Sequence, residues 1–147
     1  MSFITIRSVE GNDSLRIGRS ESGHIVAASF QGESITNRRV CFAGTRNFLH
    51  TLAEVTRSGN GWAILDGTED CRLVVEVDRN LDHLWLTFQV ARQFKIVNPR
   101  KERSRLSFIK LTGSFPISSE SGSHLVRGFT ELFEEHENQA VQPVTGE

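Results

Sequence analysis

Along DHLWLTFQVARQFKIV (Asp82–Val97) the side chains sort by parity: Leu84, Leu86, Phe88 and Val90 fall on one side, Trp85, Thr87, Gln89 and Ala91 on the other. A period of two is the signature of an extended strand, in which successive side chains point to opposite faces of the pleat. One face is wholly apolar and the other mixed, so the strand belongs to a sheet packed on one side.

Upstream, GWAIL (61–65), DGTED (66–70) and CRLVVEVD (71–78) read as a hairpin, with Asp66-Gly67 as its turn signal. Downstream, LSFIKLTGSF (106–115) is a further strand. Four short strands open the chain: SFITIRSV, LRIGR, HIVAASF and ITNRRVCF, divided by EGND, SESG and QGES. Such gaps are too short for parallel crossovers and imply an antiparallel meander.

Two helices complete the pattern. From Thr45 to Arg57, Phe48, Leu52 and Val55 recur at helical spacing, Thr45 can cap the start, and SGNG supplies a glycine stop. From about Ser119 to His136 a second stripe contains Leu125, Val126, Phe129, Leu132 and Phe133. Gly128 interrupts it at a cost of about 1 kcal/mol relative to alanine.

The expected fold is therefore α+β, in the order ββββαββββα: a mainly antiparallel curved sheet of about eight strands with both amphipathic helices packed on it. Whether the first four strands join the sheet of the last four is left open. One globular domain over 1–137 and a flexible tail over 138–147 are expected.

Composition narrows the function. At 147 residues, with 37 % apolar and 24 % charged residues, the chain is ordinary for a globular protein. No apolar run reaches membrane-helix length, and the start lacks a basic-then-apolar leader, so no membrane role and a cytoplasmic location are expected. Cys41 and Cys71 form no disulfide or zinc pattern. The histidines (24, 50, 83, 124 and 136) form no HExxH, and no GxSxG elbow or phosphate-cradling glycine loop is present. No catalytic residue, metal or cofactor is implied.

Charge is the uneven feature. Between Arg92 and Lys110 seven basic residues face one acid, a balance of +6, centred on NPRKERSRL (98–106). From Ser118 onward six glutamates face one arginine, a balance of −5. Arg100, Lys101 and Arg103 at a hairpin tip could grip nucleic acid with Trp85 stacking a base, or pair with the chain's own acidic helix. Glu134, Glu135 and Glu137 crowd the expected end of the second helix, where the helix dipole disfavours negative charge, so that end could be reserved for a basic partner.

The succession FLHTLAEV, GWAILDG, CRLVVEVDRNLDHLWLTFQV and LTGSFPISSESGSHLVRGFTELFEE, within about Phe42 to Glu135, resembles the small immunity proteins of bacterial polymorphic-toxin systems, of the wall-associated-toxin type. The likeness lies in element order and texture, and Asp82 stands where the family pattern has a glycine before the histidine. The resemblance implies a non-enzymatic protein that neutralises a cognate toxin by binding it, with no catalytic residue to carry over.

Protein binding is thus the leading expectation, with a basic toxin domain as its most specific partner. Its expected contact residues are Glu131, Glu134, Glu135 and Glu137 on the second helix and Arg100, Lys101 and Arg103 on the tip. Trp85 would be an anchor if its face of the sheet is uncovered. The alternatives are a nucleic-acid module using residues 98–105, or a small-ligand pocket between sheet and helices. Homodimerisation through an edge strand is compatible with each.

Overall fold

The computed structural model describes residues 3–78, 83–97, 104–118 and 121–145; for 95–97, 104–106 and 135–145 it describes the backbone alone. The opening meander is present as β1 (Phe3–Arg7), β2 (Ser14–Ser20), β3 (Gly23–Phe30) and β4 (Glu33–Val40), each antiparallel to its chain neighbour. It forms a sheet of its own. Cys41 is the switch: the next strand, β5 (Phe42–Ala43), pairs with β6 (Trp62–Gly67) in a second antiparallel sheet. That sheet continues through β7 (Arg72–Asp78), β8 (His83–Val97) and β9 (Ser104–Ser118) in chain order. The α+β antiparallel reading holds, with the strands shared between two sheets.

Between β5 and β6 runs α1 (Thr45–Ser58), which buries Phe48, Leu52 and Val55 as its spacing predicts. Its stop is also as read: Gly59 adopts φ 68° and its N–H donates to the Val55 carbonyl. Its start differs. Gly44, at φ 67°, occupies the N-cap and no side chain caps the helix, so Thr45 lies inside the first turn. The second helix, α2 (Gly122–Thr145), buries Leu125, Phe129, Leu132 and Phe133, and Val126 packs against the same core. It continues through 138–145, where the sequence predicts a flexible tail. Glu134, Glu135 and Glu137 therefore stand in the helix interior, and the dipole argument for a reserved helix end falls away.

α1 packs on β6 and β7 and against α2, α2 packs on β1, and β3 and β4 meet β8 and β9. The core between these layers is strongly aromatic. Phe48 of α1 meets Phe129 of α2 edge to face at 5.1 Å, and Phe129 stacks on Phe133 at 5.9 Å. Phe133 in turn meets Phe42 of β5 at 6.0 Å and His24 of β3 at 5.5 Å. Gly128 now has a reason. A Cβ there would stand 2.8 Å from Ile4 Cδ1, so its helix-propensity cost is offset by the close approach of α2 to β1.

One buried polar residue fastens the two sheets. Asn37 of β4 is 2 % exposed, and its Nδ2 donates to the Ala91 carbonyl of β8 at 2.7 Å and to Glu69 Oε2 at 2.9 Å. Its Oδ1 accepts the Arg39 N–H at 2.9 Å. Glu69 and Asp70 both have positive φ, 55° and 63°, and form the turn between β6 and β7. The turn is thus built on Glu69-Asp70, while Asp66 and Gly67 stay in β6. Gly67 is held there by packing, since a Cβ would lie 2.7 Å from Val40 Cγ1. Left-handed backbone disfavours glutamate, and the Glu69 carboxylate offsets that by accepting from Asn37 and from the Gln93 N–H at 3.3 Å.

Cys71 lies beside this staple, 2 % exposed, whereas Cys41 is exposed. Burial pushes the Cys71 thiol above its ordinary 9.0, and the nearby Glu69 carboxylate adds to the effect. A thiol reagent should modify Cys41 quickly in the native protein and reach Cys71 only on unfolding; equal rates for both would contradict the packing. Stability should follow the same shift. The contribution is full below pH 9.0, and is lost as pH climbs through the raised folded value, because the unfolded thiol ionises first.

Candidate functional site

Register across the second sheet brings outward-facing side chains into rows. Trp62 pairs with Glu76, Glu76 with Trp85, and Trp85 with Pro116. The next row runs Ile64, Val74, Thr87 and Ser114, and the third Asp66, Arg72, Gln89 and Thr112. The opposite parity (Ala63, Leu65, Leu73, Val75, Leu84 and Leu86) is buried beneath the helices and the first sheet. The two tryptophans therefore share the face turned away from the core. Strand spacing of about 4.8 Å places their backbones roughly 10 Å apart, on either side of Glu76.

Trp62 is 59 % exposed and Ile64 43 %; β5 pairs only with Asp66 and Gly67, so among the described residues both stand at the sheet's open edge as well as on its outward face. Trp85 is half-buried, and its indole N–H donates to Asp78 Oδ2 at 3.0 Å. That bond satisfies the indole N–H and restricts the ring's rotation. The condition set for Trp85 as an anchor, an uncovered face, is met among the described residues. Thr87 and Ser114 share a hydroxyl contact of 2.9 Å, and Arg72 is held by Asp66. Among the described residues between Asp78 and Asp66, this face carries the carboxylates Asp66, Glu76 and Asp78 and the arginine Arg72, which is paired with Asp66, so the balance of these described groups is negative.

Among the described residues, the α2 glutamates and Trp85 stand on different parts of the molecule. Glu131 and Glu134 are exposed on α2, which packs on β1 and α1, away from the tryptophan face. Glu135 and Glu137 follow on the same helix, where the backbone alone is described. Arg100, Lys101 and Arg103 lie outside the described residues. Sequence reasoning missed Trp62, Ile64, Val74 and Pro116 as neighbours of Trp85. The signal was the apolar residues on both parities of β6: Ala63 and Leu65 face inward, and Trp62 and Ile64 remain after the core is filled.

No family model matches the chain, and no curated protein or solved structure matches it either. Among the described residues no helix is long and apolar enough to cross a membrane.

Proposed function

We propose that this chain is a non-enzymatic protein-binding domain that docks a basic partner on the open face of its second sheet. Its most specific form is a cytoplasmic immunity protein neutralising a basic toxin domain. The observation that carries the reading is the row Trp62–Glu76–Trp85–Pro116, two exposed or half-exposed indoles flanking a carboxylate on a regular strand surface. Tryptophan is the residue type most enriched among those that dominate interface energies, and rigid strands hold it with little entropy to lose. The neighbouring carboxylates favour a basic partner and would set its orientation and association rate. They also argue against a nucleic-acid role for Trp85, because Glu76 and Asp78 would repel a phosphate beside a base stacked there.

The test is retention of partners by the tagged protein from its native host, through a high-salt wash, beside the Trp62→Ala and Trp85→Ala variants. Wild type is expected to keep one stoichiometric protein. Each variant should lose roughly 2 kcal/mol of affinity, about thirtyfold in Kd. Recovery of nucleic acid alone, or a partner held equally by all three proteins, would refute the reading.

A further inference from the structure

A cleft of about 510 Å³ lies at the junction of the two sheets, between β4 and β8. It is independent of the tryptophan face. β4 carries a bulge here: Val26 pairs with Asn37 and His24 with Val40, so Arg38 and Arg39 together stand opposite Ile25. A bulge of this kind breaks the in–out alternation and turns two consecutive side chains to the same region of surface. Arg38 and Arg39 are both exposed as a result, and both line the cleft, with Arg92 entering from β8.

The floor is the Asn37 staple already described. Its geometry matters for charge. Glu69, which also lines the cleft, has its Oε2 occupied by two neutral donors, the Asn37 carboxamide and the Gln93 N–H. Among the described residues no ion pair joins Arg38, Arg39 or Arg92 to a carboxylate. Three guanidiniums against one carboxylate leave two positive charges on the described lining. Half-buried Phe94 adds an apolar wall. The volume lies in the range of small-molecule sites, about 300–1,000 Å³.

From this arrangement we infer that the cleft is a binding site for a small organic phosphate monoester. Guanidinium groups bind phosphate oxygens through paired, charge-assisted N–H bonds, which a point charge such as lysine cannot reproduce. A monoester is close to a dianion above its second pKa of about 6, matching the excess charge of the lining. The organic part lies against Phe94. The rigid floor keeps the arginine-bearing strands in place before the ligand arrives.

The test uses AMP, ribose 5-phosphate and adenosine in phosphate-free buffer, with a short single-stranded oligonucleotide as a further probe, read by calorimetry and thermal shift. AMP and ribose 5-phosphate should raise Tm saturably and adenosine should not, by mass action on the folded state. Arg38→Gln, Arg39→Gln and Arg92→Gln change exposed side chains and should fold normally, while each weakens AMP binding about tenfold or more. Affinity should also fall below about pH 6 as the phosphate takes up its second proton. Three outcomes would overturn the inference. One is no response to either phosphate at about 10 mM, a concentration that detects even very weak sites. Another is undiminished binding by the arginine variants. The third is salt-sensitive binding of the oligonucleotide that AMP cannot displace, which would make the cleft part of a nucleic-acid groove.

Discussion

Phe129→Ala is expected to lower the unfolding free energy by about 3–5 kcal/mol, the usual cost of emptying a fully buried phenylalanine site. The side chain is 0 % exposed and stands between Phe48 and Phe133, so its loss opens a void where both helices meet. Collapse is hindered because Phe133 is already engaged by Phe42 and His24 on strands of different sheets. Against a total of about 5–15 kcal/mol for a domain, this is a large fraction. Urea titration should show a lower midpoint with little change in slope, and Tm should fall by roughly 6–20 °C. Phe108→Ala is the control: at 55 % exposure it should stay within about 0.5 kcal/mol of wild type. A Phe129 cost below about 1 kcal/mol would mean that the helices do not depend on this contact.

Asn37→Asp should be comparably damaging at neutral pH, about 3–5 kcal/mol, although it changes a single group. The carboxylate would face the Ala91 carbonyl and the Glu69 carboxylate, both of which now accept from the carboxamide. Two donated bonds are replaced by two repulsive contacts in a buried place. Burial and Glu69 would both raise the folded pKa of the introduced acid. Its neutral form is therefore compatible with folding, and stability is lost as pH rises through the raised folded value. The Tm gap between variant and wild type should shrink as pH is lowered from 8 towards 5. A gap that is constant with pH would show that charge is not the cause.

Much of the fold was written in local periodicity. The parity of β8, the face of α1 and the stripe of α2 each follow from one element meeting one core, and each is found as the spacing requires except at Ala91, which shares the parity of Trp85 and is buried beside Val90. The passage from the first sheet to the second was hidden for a definite reason. Val40 and Phe42 have the same parity, so the alternation at the end of ITNRRVCF carries on across Cys41 while the chain changes partners there. A period-two pattern reports which way a side chain points and is blind to which strand lies beside it. The β4 bulge did leave a trace: its buried positions Ile35 and Asn37 are two apart, but the next, Val40, is three on.

The tryptophan face was half legible. Parity placed Trp85 opposite Leu84 and Leu86, but whether anything covered it depended on where the first sheet and the helices packed. Both lie on the other side. The turn was placed in the right segment and on the wrong residues. A glycine beside Asp66 looked like backbone freedom, whereas Gly67 serves to admit Val40 and Phe42.

Among the described residues, every strand in both sheets is hydrogen-bonded to a neighbour in strand order, with no crossover inside either sheet. This order has a kinetic meaning. Apart from β5 and β6, which are joined through α1, closure within each sheet pairs strands that follow one another closely in the chain, so its entropy cost is small and the two meanders can zip up separately. Distant pairings form where α2 meets β1 and α1 and where β3 and β4 meet β8 and β9; in the second place Phe30 packs at 5.6 Å on Phe88 and a Cβ on Gly113 would come within 2.8 Å of either ring. Docking of one sheet on the other is then expected to be slower than closure within either. Substitutions at Phe30 or Gly113 should retard refolding more than those within a single hairpin.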